Sequence, residues 1–198
     1  MACEEPQRLF FAVPLTDEIR AAAQAAQAEL SAPRAAVKWV APENLHFTLK
    51  FLGDTPVSAV PALAEVARQV AERHAAFEVE VRGLGSFPPR RPPDVLWAGC
   101  GAGGEEFVAL GADLDSALAA AGLAEPERRP FTPHLTLGRV RRGAWMGSGL
   151  PDLVNLLCRH ADRPLGEMRV DRFLLLSSRL GPQGSAYTTV ETFDLMST

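Results

Sequence analysis

The sequence predicts an α+β fold with mainly antiparallel sheets, built from a duplicated unit whose two matching strands face each other across a cleft. Three observations predict it. The phrase His-x-Thr-Leu occurs at 46–49 and again at 134–137, each time inside a run alternating apolar and polar residues as a half-buried strand does. Both copies have the same parity: His46 and Thr48, with Lys50, fall on one face and Leu45, Phe47, Leu49 and Phe51 on the other, while His134 and Thr136 oppose Leu135 and Leu137. Finally, about eight strand-like and four helix-like segments follow one another without strict alternation, which favours antiparallel sheets over a parallel α/β core.

The segments follow in order. Residues 8–14 are aromatic and β-branched and end in Pro14, as a strand does. Thr16 is placed as an N-cap, with Asp17 and Glu18 in the first turn of an alanine-rich helix reaching about residue 31. A short strand at 37–40 and a turn at 42–44 lead into the first His-x-Thr strand, stopped by Gly-Asp-Thr-Pro at 53–56. A helix at 58–75 turns Val60, Leu63, Val66 and Val70 inward, with His74 as a cation near its negative pole. Residues 77–82 alternate as a strand with Glu78, Glu80 and Arg82 on one face.

The proline-rich stretch at 87–93, carrying Arg90 and Arg91, reads as an extended loop, and 94–98 as a strand with Trp97 in the core. A helix at 105–121 precedes the second His-x-Thr strand, and Arg139, Arg141 and Arg142 form a small basic cluster after it. A helix at 151–160 ends near His160, and closing strands at 168–178 and 186–195 flank a Gly-Pro-Gln-Gly turn, with Tyr187 and Phe193 as core or cleft wall.

Composition narrows the function. A chain of 198 residues that is 47% hydrophobic can bury a sizeable core as one domain or two small lobes. A net charge of −4 excludes a broad basic surface, so a polyanionic substrate must meet a local basic site. Cys3, Cys100 and Cys158 are too few and too dispersed for a disulfide framework. The first residues lack the order of a secretion signal, and no apolar run approaches the ~18 residues of a membrane span. We therefore expect a cytoplasmic protein without a membrane partner.

The stretch Gly99-Cys-Gly-Ala-Gly-Gly104 fits a dinucleotide-binding fingerprint, but it lies mid-chain, the next strand lacks an acidic residue for a ribose, and Glu105 and Glu106 would repel a pyrophosphate at the helix start. A turn is the expected reading. Three alternatives to a metal-free hydrolase stay open: a metal phosphoesterase using His46 and His134, a nucleotide-dependent oxidoreductase resting on the glycine run, and a non-catalytic binding module of the same fold.

The residues also carry a family resemblance. Arg-Leu-Phe-Phe-Ala-Val at 8–13, Trp39, the run 43–53 around His46, Phe87-Pro, Val-Leu-Trp at 95–97, Phe-Thr-Pro-His-Leu-Thr-Leu-Gly-Arg at 131–139, Ser178 and Tyr187 together resemble the RNA 2′,3′-cyclic phosphodiesterases, or 2′-5′ RNA ligases, of the two-histidine phosphoesterase superfamily. The resemblance implies a single two-lobed domain over 1–198, a pseudo-twofold duplication with antiparallel sheets lining a central cleft and helices on the outside, with no cofactor and no metal. It implies His46 as general acid, His134 as general base, and Thr48, Thr136 and Arg139 on the phosphate. It also implies an RNA partner with a 2′,3′-cyclic phosphate or 2′-5′ linked end, no obligate protein partner and a monomer.

The residue types suit that chemistry. Histidine titrates near 6.5, so one neutral and one protonated imidazole coexist near neutral pH, and paired threonine hydroxyls can hold non-bridging oxygens as their charge grows. Sequence alone leaves the acid and base roles interchangeable. Arg139 is an odd step from His134, so it reaches the site only if the strand is irregular at Gly138. Phe10, Phe11, Phe51 and Phe131 are the candidates for stacking a base.

Overall fold

The phrase strand, helix, His-x-Thr strand, helix is traced twice. A computed structural model describes residues 5–31, 33, 35–88, 93–141, 149–181 and 184–197. Cys3, Arg90, Arg91, Arg142 and the 182–183 turn lie outside the described residues. The first pass is β1 (Gln7–Pro14), α1 (Asp17–Leu30), a short β2 (Val37–Trp39), β3 (His46–Thr55) and α2 (Val60–Ala71), followed by β4 (Phe77–Phe87). The second is β5 (Val95–Cys100), α3 (Gly104–Ala120), β6 (Leu135–Val140) and α4 (Leu150–Arg159), followed by β7 (Pro164–Val170), β8 (Arg172–Gly181) and β9 (Gly184–Asp194).

The strands form one sheet in the order β7-β4-β5-β6-β3-β1-β8-β9, with β2 added on β6, and the pairings between these strands are antiparallel. The two His-x-Thr strands are therefore central neighbours. They share one residue pair, Phe47 with Leu135, so the halves of the sheet are joined at a narrow seam beside both histidines.

One large core unites the helices with the apolar side of the sheet. Phe11, Phe47, Phe107, Leu110, Leu135 and Leu153 are fully buried in it, a burial of roughly 1.5–3 kcal/mol for each large side chain. A smaller cluster of Phe10, Ala12 and Leu176 lies on the opposite side of β1 and β8 and forms a floor beneath His46. Thr16 caps α1 as expected, its hydroxyl accepting from the Ile19 amide at 3.4 Å.

Three sequence expectations are corrected. The strand expected at 168–178 is two: β7 pairs with β4 and β8 with β1, in opposite halves of the sheet, with Asp171 between them. The helix expected to reach residue 75 ends at Ala71, so His74 lies beyond it and bonds the Asp113 carboxylate at 3.1 Å. Trp97 is half-buried rather than core; it packs on Phe87, and its indole nitrogen is buried without a partner.

The glycine run is a turn. Gly103 sits at φ 78°, where a Cβ would come within 2.8 Å of the Val79 Cα, so the glycine serves close packing of the turn on β4. His160 does cap α4, and it pairs with Glu29 at 2.7 Å.

Gln27 is a buried polar anchor from α1 to the end of β2 and to β6. Its amide nitrogen donates to the carbonyls of Val40 at 2.9 Å and Leu137 at 2.8 Å. Gln27→Leu is expected to keep the volume but leave the Val40 carbonyl unpaired, destabilising the fold by about 1–3 kcal/mol. Denaturant unfolding measures this, and an unchanged midpoint would show the amide to be dispensable.

Candidate active site

All five residues singled out for phosphate chemistry line one cleft of about 850 Å³: His46 and Thr48 from β3, and His134, Thr136 and Arg139 at and along β6. Each imidazole is held in the same way. Nδ1 of His46 lies 2.8 Å from the carbonyl of Asn44, two residues back, and Nδ1 of His134 lies 2.8 Å from the carbonyl of Thr132, also two residues back. A carbonyl only accepts, so each Nδ1 carries the proton and each Nε2 is left for chemistry. Nε2 of His46 lies 3.1 Å from the Thr48 hydroxyl.

The two histidines differ in their surroundings. His46 packs against Phe10 at 5.0 Å and the edge of Tyr187 at 5.3 Å, whereas His134 meets the edge of Phe87 at 5.2 Å. Burial pushes the His46 imidazole below its ordinary 6.5, and the charge of His134 adds to this, against the raising influence of the Asn44 carbonyl. The free protein thus favours a neutral His46 at pH 7.

Arg139 reaches the cleft through a β-bulge. Against β5, Leu96 pairs with Gly138 and Trp97 with Thr136, leaving Leu137 as the extra residue, so Leu137 and Gly138 are both buried and Arg139 turns outward. The irregularity expected at Gly138 is present. A Cβ at Gly138 would approach Val37 Cγ1 to 2.7 Å and Trp39 Cε3 to 2.8 Å, which explains the glycine. The extra carbonyl of Leu137 is satisfied by the Val40 amide and by Gln27.

The first copy has the matching bulge, which the sequence did not announce. Against β1, Phe11 pairs with Lys50 and Ala12 with Thr48, leaving Leu49 as the extra residue. Strict alternation placed Phe51 on the core face and Lys50 beside His46; instead Phe51 is 56% exposed at the cleft and Lys50 is 4% exposed. The Lys50 ammonium contacts Asp115 at 2.6 Å, the Glu125 carbonyl at 2.7 Å and Glu127 at 3.0 Å. Burial alone would lower its pKa, but the Asp115 and Glu127 carboxylates prevail and raise it.

Of the four aromatics considered for stacking, Phe10 and Phe11 are buried, Phe131 is half-buried at the cleft and Phe51 is exposed. Arg128 and Arg129 also line the cleft; exposed arginines in an irregular loop carry no sequence signal of their own. Among the described residues, no group of three or more His, Cys, Asp or Glu is arranged to hold a metal ion.

Two His-x-Thr strands meeting at the centre of one antiparallel sheet, with a cation re-aimed by a bulge, are the framework of the two-histidine phosphoesterase class. The chain belongs to the 2′-5′ RNA ligase superfamily, whose family model matches residues 15–182. It is 38% identical to the RNA 2′,3′-cyclic phosphodiesterase of Methanothermobacter thermautotrophicus over 95% of this chain and 98% of that one. It is 36% identical to the protein of the same name from Thermus thermophilus, over 95% and 90% of the two chains. A crystal structure of a Thermus thermophilus protein superposes with a TM-score of 0.77 at 34% identity, covering 95% of this chain and 97% of that one. Escherichia coli LigT complexed with 3′-AMP gives 0.76 at 28% identity, covering 97% and 99%.

Proposed function

We propose that the protein is a metal-independent RNA 2′,3′-cyclic phosphodiesterase that opens a terminal cyclic phosphate to a 2′-phosphate, with 2′-5′ ligation as the parallel reaction in which a 5′ hydroxyl takes the place of water. The observation that carries this reading is the convergence of two carbonyl-anchored imidazoles, two threonine hydroxyls and Arg139 on one cleft. His134 Nε2 takes a proton from water as its oxygen attacks phosphorus. The bond to the 3′ oxygen breaks, and His46 Nε2 delivers a proton to that oxygen. Thr48, Thr136 and Arg139 hold the non-bridging oxygens as negative charge builds on them. We further place the protein in the cytoplasm as a monomer without an obligate protein partner. The free thiols of Cys100 and Cys158 suit a reducing compartment.

The test is hydrolysis of a short RNA ending in a 2′,3′-cyclic phosphate, in EDTA, across pH, with the product terminus identified. A 2′-phosphate formed in the chelator is expected; no turnover, or turnover lost in EDTA, would overturn the reading. The pH dependence follows from His46. As general acid it must be protonated while His134, as base, must be neutral, so kcat/KM is expected to be bell-shaped in pH, with the lowered pKa of His46 as one of its limits. An anionic phosphate beside the ring favours its proton, so the alkaline fall in kcat is expected at higher pH than the fall in kcat/KM. A kcat/KM that is flat in pH across this window would take the histidine pair out of proton transfer.

A further inference from the structure

The cleft does not end at the histidines. A second hollow of about 600 Å³ shares Lys50, Phe51, Glu127, Arg128 and Arg129 with it and continues past Phe51. We propose that this trough is a second nucleotide subsite, binding the RNA nucleotide joined to the one that bears the cyclic phosphate, with its base on Phe51 and its phosphodiester on Arg128 and Arg129. The proposal rests on the phosphodiesterase reading and names the substrate within it: an RNA strand of at least two nucleotides rather than a free cyclic nucleotide.

Phe51 is the most exposed of the large apolar side chains described, at 56%, and it is exposed because the Leu49 bulge turns it out of the core. One side of it meets Phe10, with ring centres 5.6 Å apart. Phe51 stands five residues after His46, as Arg139 stands five after His134, and each follows a bulge at the third residue after its histidine. The duplicated frame thus aims a cation into the cleft from one half and an aromatic ring from the other. An aromatic platform beside cations that track a backbone is the chemistry of single-stranded nucleic acid binding.

The charges agree with this occupant. Arg128 and Arg129 are exposed, and among the described residues no carboxylate pairs with either. Of the three acids along the two hollows, Asp115 and Glu127 are drawn onto Lys50, and Asp115 also accepts the Glu127 amide at 3.0 Å, while the exposed Glu125 gives Lys50 its backbone carbonyl. Lys50 therefore removes negative charge from the trough and braces the loop between α3 and β6 that carries the two arginines. Such a loop needs little further ordering when a strand binds. An acidic peptide would use the arginines but has no need of the ring.

The experiment compares kcat/KM for a nucleoside 2′,3′-cyclic phosphate and for a dinucleotide ending in the same group, in wild type, Phe51→Ala and the double variant Arg128→Ala with Arg129→Ala. Wild type is expected to prefer the dinucleotide by about tenfold or more, and both variants to lose most of that preference. In the double variant the dinucleotide rate should also depend less steeply on salt. Equal use of the two substrates by wild type, or variants that reduce both rates alike, would overturn the subsite. Binding of a labelled dinucleotide 2′-phosphate, set against the nucleoside 2′-phosphate and an acidic peptide, reads the trough without turnover. If wild type hydrolyses neither substrate yet shows the same Phe51- and arginine-dependent preference in binding, the hydrolase reading fails and the subsite stands. Equal binding of peptide and dinucleotide would assign the trough to a protein partner and overturn it.

Discussion

Alanine at His46 or at His134 is expected to lower kcat for cyclic phosphate opening by about 10²–10⁴ each, with the double variant close to the weaker single one. Base and acid act on opposite sides of the same transition state, so losing one removes most of the advantage of the other. The residual rate would come from Thr48, Thr136 and Arg139, which still grip the phosphate. KM should move less than kcat, because neither Nε2 is required to hold the ground-state anion. His46 is packed against Phe10 and Tyr187, so His46→Gln, which leaves less empty space beside those rings, separates lost chemistry from lost packing.

The other two histidines are the control. His74 and His160 are committed to Asp113 and Glu29 and do not line the cleft, so alanine there should leave the rate within about twofold, the scatter expected away from a site. Matched circular dichroism and steady-state kinetics of the four variants check this. Turnover that survives removal of either His46 or His134 would separate the paired motif from the chemistry.

The parity of His-x-Thr was legible because period two is a property of the backbone, and both motifs did land on the cleft face. The bulge on β6 was legible for a similar reason: Arg139 had the wrong parity for its expected role, and a glycine stood where the strand had to give. Its twin on β3 carries no such mark. The residue after Leu49 is Lys50, an ordinary strand residue by composition, and its burial depends on Asp115 and Glu127, which the fold brings from far along the chain. Strict alternation therefore sent Phe51 inward. The break between β7 and β8 was illegible on the same grounds: one polar residue, Asp171, separates strands that pair in opposite halves of the sheet. Local pattern reports which face a residue takes while a ladder is regular; it does not report where distant partners make the ladder slip.

Arg139→Ala is expected to reduce kcat/KM by about 10²–10³, the cost typical of losing a donor aimed at developing negative charge. The effect should fall on kcat as much as on KM, because charge on the non-bridging oxygens grows between ground and transition state. Arg139→Lys should recover only part of it. A lysine keeps the charge but lacks the planar fork that can meet two oxygens at once, and its shorter reach starts from the same bulge. Because Leu137 and Gly138 set the direction of residue 139, Gly138→Val should mimic Arg139→Ala in kinetics while leaving the arginine in place: a branched side chain cannot fit against Val37 and Trp39 without shifting the strand. Kinetics of the three variants on one cyclic-phosphate substrate decide the matter. A lysine variant equal to wild type would reduce Arg139 to a point charge. An Arg139→Ala variant that retains full rate would show that the bulge serves packing rather than the phosphate.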